Sequence, residues 1–137
     1  MTPELVFQKA LRTRLTESAA LTALVPGSSI LDRNERPTPD PSIIIGEGQA
    51  VDEGDSLARN RYRIYLDLHV WKKEASLEGV KLIAGLIRQA VKSGRIFLDA
   101  PFHCADCRVS STRFMRDPDG QTSHAVVAIS ALVSEVE

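Results

Sequence analysis

The segment Arg61–Trp71 constrains the fold more than any other. Tyr62, Ile64, Leu66, Leu68 and Val70 alternate without a break with Arg63, Tyr65, Asp67, His69 and Trp71. Successive side chains of a strand point to opposite faces, so the run predicts one strand with an apolar and a polar-aromatic face. The apolar face belongs to a core. The other must meet water or a partner.

Around this strand the chain supplies elements of both kinds. Thr2-Pro3-Glu4 reads as a helix start: a capping hydroxyl, a proline at the first helical position and an acid at the positive end of the dipole. Leu5, Val6, Ala10, Leu11 and Leu15 follow at helical spacing. Ser18 is placed to cap a short second helix carrying Leu21, Leu24 and Val25, which Pro26-Gly27 stops. Ile30-Leu31-Asp32 predicts a short strand, and the proline-rich stretch 33–41 a stiff, solvated loop. Ser42–Gly46, with three consecutive isoleucines, predicts a strand buried on both faces or leading into the core. Gln49 to Asn60 is polar and reads as a long, mobile connection.

Beyond Lys72-Lys73, Ser76 is placed to cap a helix running to about Ser93. Its stripe of Val80, Ile83, Ala84, Ile87 and Val91 faces inward, and Gly94 stands where a left-handed C-cap is wanted. Ile96–Leu98 suggests a short strand. Arg108–Arg116 and Thr122–Val133 predict a hairpin around Asp117-Pro118-Asp119-Gly120, with Ala125, Val127, Ile129, Ala131 and Val133 facing the core. Helices segregated from mostly antiparallel strands point to a two-layer α+β sandwich with helices on one face of the sheet. At 137 residues the chain fits a single domain over its whole length.

Composition narrows the functional classes. A formal net charge of −1 argues against a dedicated nucleic-acid binder, although Arg59, Arg61, Arg63, Lys72 and Lys73 lend one strand and its ends a basic character. The longest apolar stretch, Ala125–Ile129, is far below the roughly 20 residues that span a bilayer, so no membrane partner is expected. The N-terminus has no charged start followed by an apolar run, and synthesis in the cytosol is expected.

No constellation points to catalysis or to a cofactor. Cys104-Ala-Asp-Cys107 invites a redox or zinc reading, but the pair enters a predicted strand rather than a helix N-terminus, and the chain has no second cysteine pair. A mixed site would have to recruit His103, His69 or His124. Neither Asp52-Glu53-Gly54-Asp55 nor the Asp117–Gly120 turn has the spacing of a calcium loop. There is no nucleophile elbow, and Gly46-Glu-Gly48 lacks the third glycine of a dinucleotide loop.

The order of features resembles the tail-completion, or tail-terminator, proteins of long-tailed phages and related gene transfer agents. The residues that carry the resemblance are Ala19-Ala-Leu21-x-x-Leu24-Val25, Ile30-Leu-Asp32, Ser42-Ile-Ile-Ile-Gly46-Glu47, Leu66-Asp-Leu68-His-Val70-Trp71, the Glu78-to-Ala90 helix, and Arg113–Arg116 leading into the Asp-Pro-Asp-Gly turn. The resemblance covers nearly the full chain; the cysteines lie outside its pattern.

It implies a structural neck protein of the virion, made in the bacterial host cytoplasm. Such a protein forms a ring, expected to be a hexamer of copies of itself, on the head-proximal end of the tail tube. Its partners would be the tube protein and a head-closure or connector protein, with DNA passing through the channel without sequence-specific binding. A ring subunit hides a polar-aromatic surface against its neighbour. Arg63, Tyr65, Asp67, His69 and Trp71 are the residues expected to supply it, since Tyr, Trp and Arg are enriched at interfaces. Asp52, Glu53, Asp55 and Arg59 are expected on an arm that orders on contact. Two alternatives stand beside this reading: another head–tail connector or minor tail protein, and a small thiol- or metal-dependent enzyme using Cys104 and Cys107.

Overall fold

The computed structural model describes residues 2–33, 39–54 and 57–136. Helix α1, Pro3–Thr16, starts where the sequence places it: the Thr2 hydroxyl accepts the Leu5 N–H at 3.3 Å. Its buried stripe is Val6, Phe7, Leu11 and Leu15; Leu5 turns outward, and Phe7 takes the place the sequence reading gave it. Ser18 caps α2, Ala19–Leu24, through the Leu21 N–H. A single 3-10 turn, Gly27–Ser29, leads into β1, Ile30–Leu31. The strands β2, Ser42–Asp52, and β3, Arg61–Lys72, precede α3, Glu78–Lys92, and β4, Phe102–Arg116, and β5, Ser123–Glu135, follow it.

Among the described residues the strands form one sheet in the order β1-β2-β3-β5-β4. All pairings are antiparallel except that of β1 with β2. The alternation of β3 is realised as predicted. Ile64, Leu66, Leu68 and Val70 are buried, and with Ala125, Val127, Ile129, Ala131 and Val133 of β5 they form the inner face. Val80, Ile83, Ala84, Ile87 and Val91 of α3 join the same core, as do the buried residues of α1. Burying each valine, leucine or isoleucine of this set stabilises by about 1.5–3 kcal/mol. The result is a two-layer α+β sandwich with three helices against one face of the sheet.

Four expectations are corrected. The proposed loop from Gln49 to Asn60 is half strand: β2 continues to Asp52 and pairs with β3 out to Asp52↔Tyr62. Polar composition misled there because these residues lie at an exposed sheet edge, where backbone pairing needs no apolar side chains. The hydroxyl of Ser76 accepts the Glu78 N–H at 3.0 Å, but the helix begins at Glu78 and Leu77 occupies the N-cap position. Gly94 does not adopt a left-handed φ. The α3 C-terminus is closed from outside instead: Arg14 donates to the carbonyls of Ala90 (2.9 Å), Gly94 (3.0 Å) and Arg95 (2.8 Å). Finally, residues 96–98 pair with no strand; Ile96 is buried while Phe97 is 81% exposed.

Candidate assembly interface

The sheet face away from the helices is built around β3. Its neighbours in register are Val51, Gln49 and Ile44 on β2 and Leu132, Ser130, Ala128, Val126 and His124 on β5. Beyond β5, Asp106, Arg108, Ser111, Arg113 and Met115 of β4 continue the same surface. Among the described residues no helix covers it.

Arg63, Tyr65, Asp67, His69 and Trp71 all lie on this face, as the alternation requires. Arg63 makes a two-pronged contact with Glu53, Nε to Oε2 at 3.0 Å and Nη2 to Oε1 at 3.3 Å. That pairing holds the Glu53 carboxyl below its ordinary pKa and ties the end of β2 to β3. Tyr65 is 45% exposed, with Ser130 beside it. Asp67 has no hydrogen bond or ion pair among the described residues. Asp52 ends β2 at the surface, and Arg59 takes φ 51° while its carbonyl accepts the Tyr62 hydroxyl. Asp55 lies outside the described residues.

His69 and Trp71 belong to a cluster that the spacing did not reveal. His124, opposite Trp71 on β5, stacks on the indole with ring centroids 3.8 Å apart and planes 6° apart. Its Nε2 is 2.9 Å from His69 Nδ1, and His69 Nε2 is 3.1 Å from Glu47 Oε2. The result is a row from carboxylate through two imidazoles to an indole. The glycines of Gly46-Glu47-Gly48 explain the carboxylate's position. A register shift between Ile45 and Gly48 marks a bulge, and a Cβ on Gly46 would lie 2.5 Å from His69 Cδ2. Only glycine lets the imidazole lie this close to the β2 backbone.

Electrostatics follow from this geometry. The hydrogen bond from His69 lowers the Glu47 pKa. Burial, and then the neighbouring His69, lowers that of His124. The basic stripe is partly neutralised, since Glu53 meets Arg63 and Glu74 meets Lys72 at 3.2 Å.

Cys104 and Cys107 lie on the opposite, helix-covered side of β4, so the sheet separates them from His69 and His124. Among the described residues no group of three or more His, Cys, Asp or Glu is arranged to hold a metal. Apolar residues away from the sheet face also stand out: Leu57, in the β2–β3 connection, is 90% exposed, and Phe97, after α3, is 81% exposed. Sequence reading passed over Leu57, because a single apolar residue in a polar segment carries no periodicity, and placed Phe97 in a short strand that does not form.

The chain is thus a two-layer α+β protein with a broad, helix-free polar-aromatic sheet face. The family of tail completion protein gp17 matches residues 9–134. The chain belongs to that family and is a structural protein of the phage-type virion tail. A chain in the virion of a native gene transfer agent particle has the same fold, with a TM-score of 0.83 over 96% of each chain at 17% sequence identity. Comparison with curated protein sequences finds no match.

Proposed function

We propose that this protein closes the head-proximal end of the tail tube as a hexameric ring and joins it to the head-closure complex. Membership of the tail-completion family, matched over residues 9–134, carries the reading. On this view the chain works by assembly, without catalysis or cofactor.

A ring with head-to-tail contacts needs two different patches on every subunit. The first is the β3 face, where Tyr65 and the Trp71–His124 stack offer aromatic surface and Asp67 offers a carboxylate unpaired among the described residues. The second is a protruding apolar contact, with Leu57 on the β2–β3 connection as its anchor. Asp52, Glu53 and Arg59 flank that anchor and give it a charged rim, the usual surround of a buried contact. The tube protein and the head-closure or connector protein would meet the two open surfaces of the ring, and DNA would pass through its centre without base-specific contacts.

Deleting this chain from a particle-producing strain tests the role. The expected lysate contains DNA-filled heads and separate tails that fail to join, and supplying the protein restores joined particles. Joined particles of normal tail length in its absence would refute the proposal. Joined heads and tails lost without any density at tube ends would instead favour a connector position.

A further inference from the structure

The cysteine pair carries an inference independent of the assembly role. In a regular strand, residues three apart point to opposite faces. β4 departs from this between Cys104 and Asp106, where a register shift inserts Ala105. Cys104 therefore pairs with Val133 and Cys107 with Ala131, both on the inner face of β5. Those partners stand two residues apart, a rise of about 6.6 Å, within the range of about 4.4–6.8 Å between the Cα atoms of a disulfide. The Cys104 thiol donates to the Asp106 carbonyl at 3.3 Å, on the residue before Cys107, and each cysteine shifts the other's pKa. They border a surface cavity that Arg95 and Ile96 also line, and Arg95 Nε donates to the Cys104 carbonyl at 3.2 Å.

We propose that Cys104 and Cys107 form a peroxide-oxidisable dithiol that closes to an intramolecular disulfide. The Cys104 thiolate attacks one oxygen of hydrogen peroxide. The O–O bond breaks, Cys104 becomes a sulfenic acid and hydroxide leaves. The Cys107 sulfur then attacks the Cys104 sulfur, the S–S bond forms and the S–O bond breaks. With the two thiol protons the two hydroxides leave as water, so two thiols and one peroxide give one disulfide and two waters.

The division of roles follows the surroundings. Contact with Cys107 is the largest influence lowering the Cys104 pKa, and Arg95 acts in the same direction. The Cys107 pKa is raised by Cys104 and by burial. Cys104 is thus the first to be oxidised and Cys107 the resolving thiol. Cys104 is only 3% exposed, which suits a small oxidant rather than a bulky disulfide.

The test is intact mass spectrometry of the reduced protein after hydrogen peroxide, followed by alkylation in denaturant. The expected product is a monomer lighter by ~2 Da that takes up no alkylating agent until reduced. Cys107→Ser should instead trap a sulfenic acid at Cys104 that reacts with dimedone, and Cys104→Ser should show neither change. The folded chain should close at least ~10-fold faster than the same chain in urea, since only the fold supplies the contact and the activated thiolate. Equal rates in the two states, or two thiols still open to alkylation after oxidation of the folded chain, would overturn the proposal. So would disulfides found only between molecules.

Discussion

Arg14 shows how much one side chain does for the frame that carries the sheet. It donates to three carbonyls at and beyond the end of α3, one of which, Ala90, also accepts from the Ser93 hydroxyl, and a guanidinium with its fork of donors reaches all three. Arg14→Ala should lower stability by about 1–2 kcal/mol, as loss of charge-assisted hydrogen bonds to one part-buried and two exposed acceptors does. Arg14→Lys should recover less than half of that, because a single ammonium cannot span the three acceptors; urea denaturation measures both. Ser42 gives the opposite case. Its hydroxyl is buried without a partner among the described residues, so Ser42→Ala should be neutral or stabilising by up to about 1 kcal/mol in the same assay.

The His124 imidazole sets a pH dependence of definite sign. Its folded pKa lies below the ordinary 6.5, with Glu47, His69, Asp117 and Arg113 as the charged groups around the row. Between the folded and unfolded values the unfolded chain binds more protons, so stability rises with pH in that window. The contribution is complete above about 6.5 and is lost as the pH falls through the folded value. Glu47, also depressed, adds a loss in the same direction below its ordinary 4.5. Denaturation midpoints at pH 7.5 and 5.5 should show the protein weaker at 5.5, with a smaller difference in His124→Gln.

At the scale of elements, β3 and β5 are the spine. Their twelve-residue register, from Arg61↔Ser134 to Lys72↔Ser123, joins the core face to the helix-free face. A cavity at the inner face should be costly: Ile129→Ala, at a site only 1% exposed, is expected to destabilise by about 2–5 kcal/mol in urea titration. On the outer face the expectation is separated from stability. Tyr65→Ala with Trp71→Ala removes aromatic surface but little core, so the double variant should fold while losing self-assembly, as size-exclusion chromatography with light scattering and circular dichroism would show. A variant that still forms rings would mean that the interface lies elsewhere.

These elements also mark what a sequence can disclose. The alternation in β3, the α3 stripe and the Asp117–Gly120 turn are local signals, and each was legible because periodicity or turn chemistry fixes them within a few residues. The His69–His124 row was not legible, since it needs the register of two strands 55 residues apart in the chain. The bulge that turns Cys104 and Cys107 to one face inverts what simple alternation gives. The Arg14 clamp joins residues 76 apart, and no local propensity announces it. The continuation of β2 to Asp52 was hidden by its polar composition, although its ladder partners in β3 were plain.

At the scale of the whole molecule, the fold divides its labour between two layers. Helices and the inner sheet face make one hydrophobic core. The outer face, with Arg63, Tyr65, Asp67, His69 and Trp71 joined by Glu47, Glu53 and His124, is the proposed contact surface, and Leu57 is exposed on the connection beside it. Family membership sets this architecture in the virion tail. The proposed step beyond that is closure of the tube by a ring. Electron microscopy of tail tubes incubated with the purified protein, with averaging of the tube ends, tests it most directly. The account predicts a hexameric ring of this chain on one end only of each tube, with tubes that no longer elongate. Tubes with bare ends that continue to grow in its presence would contradict it.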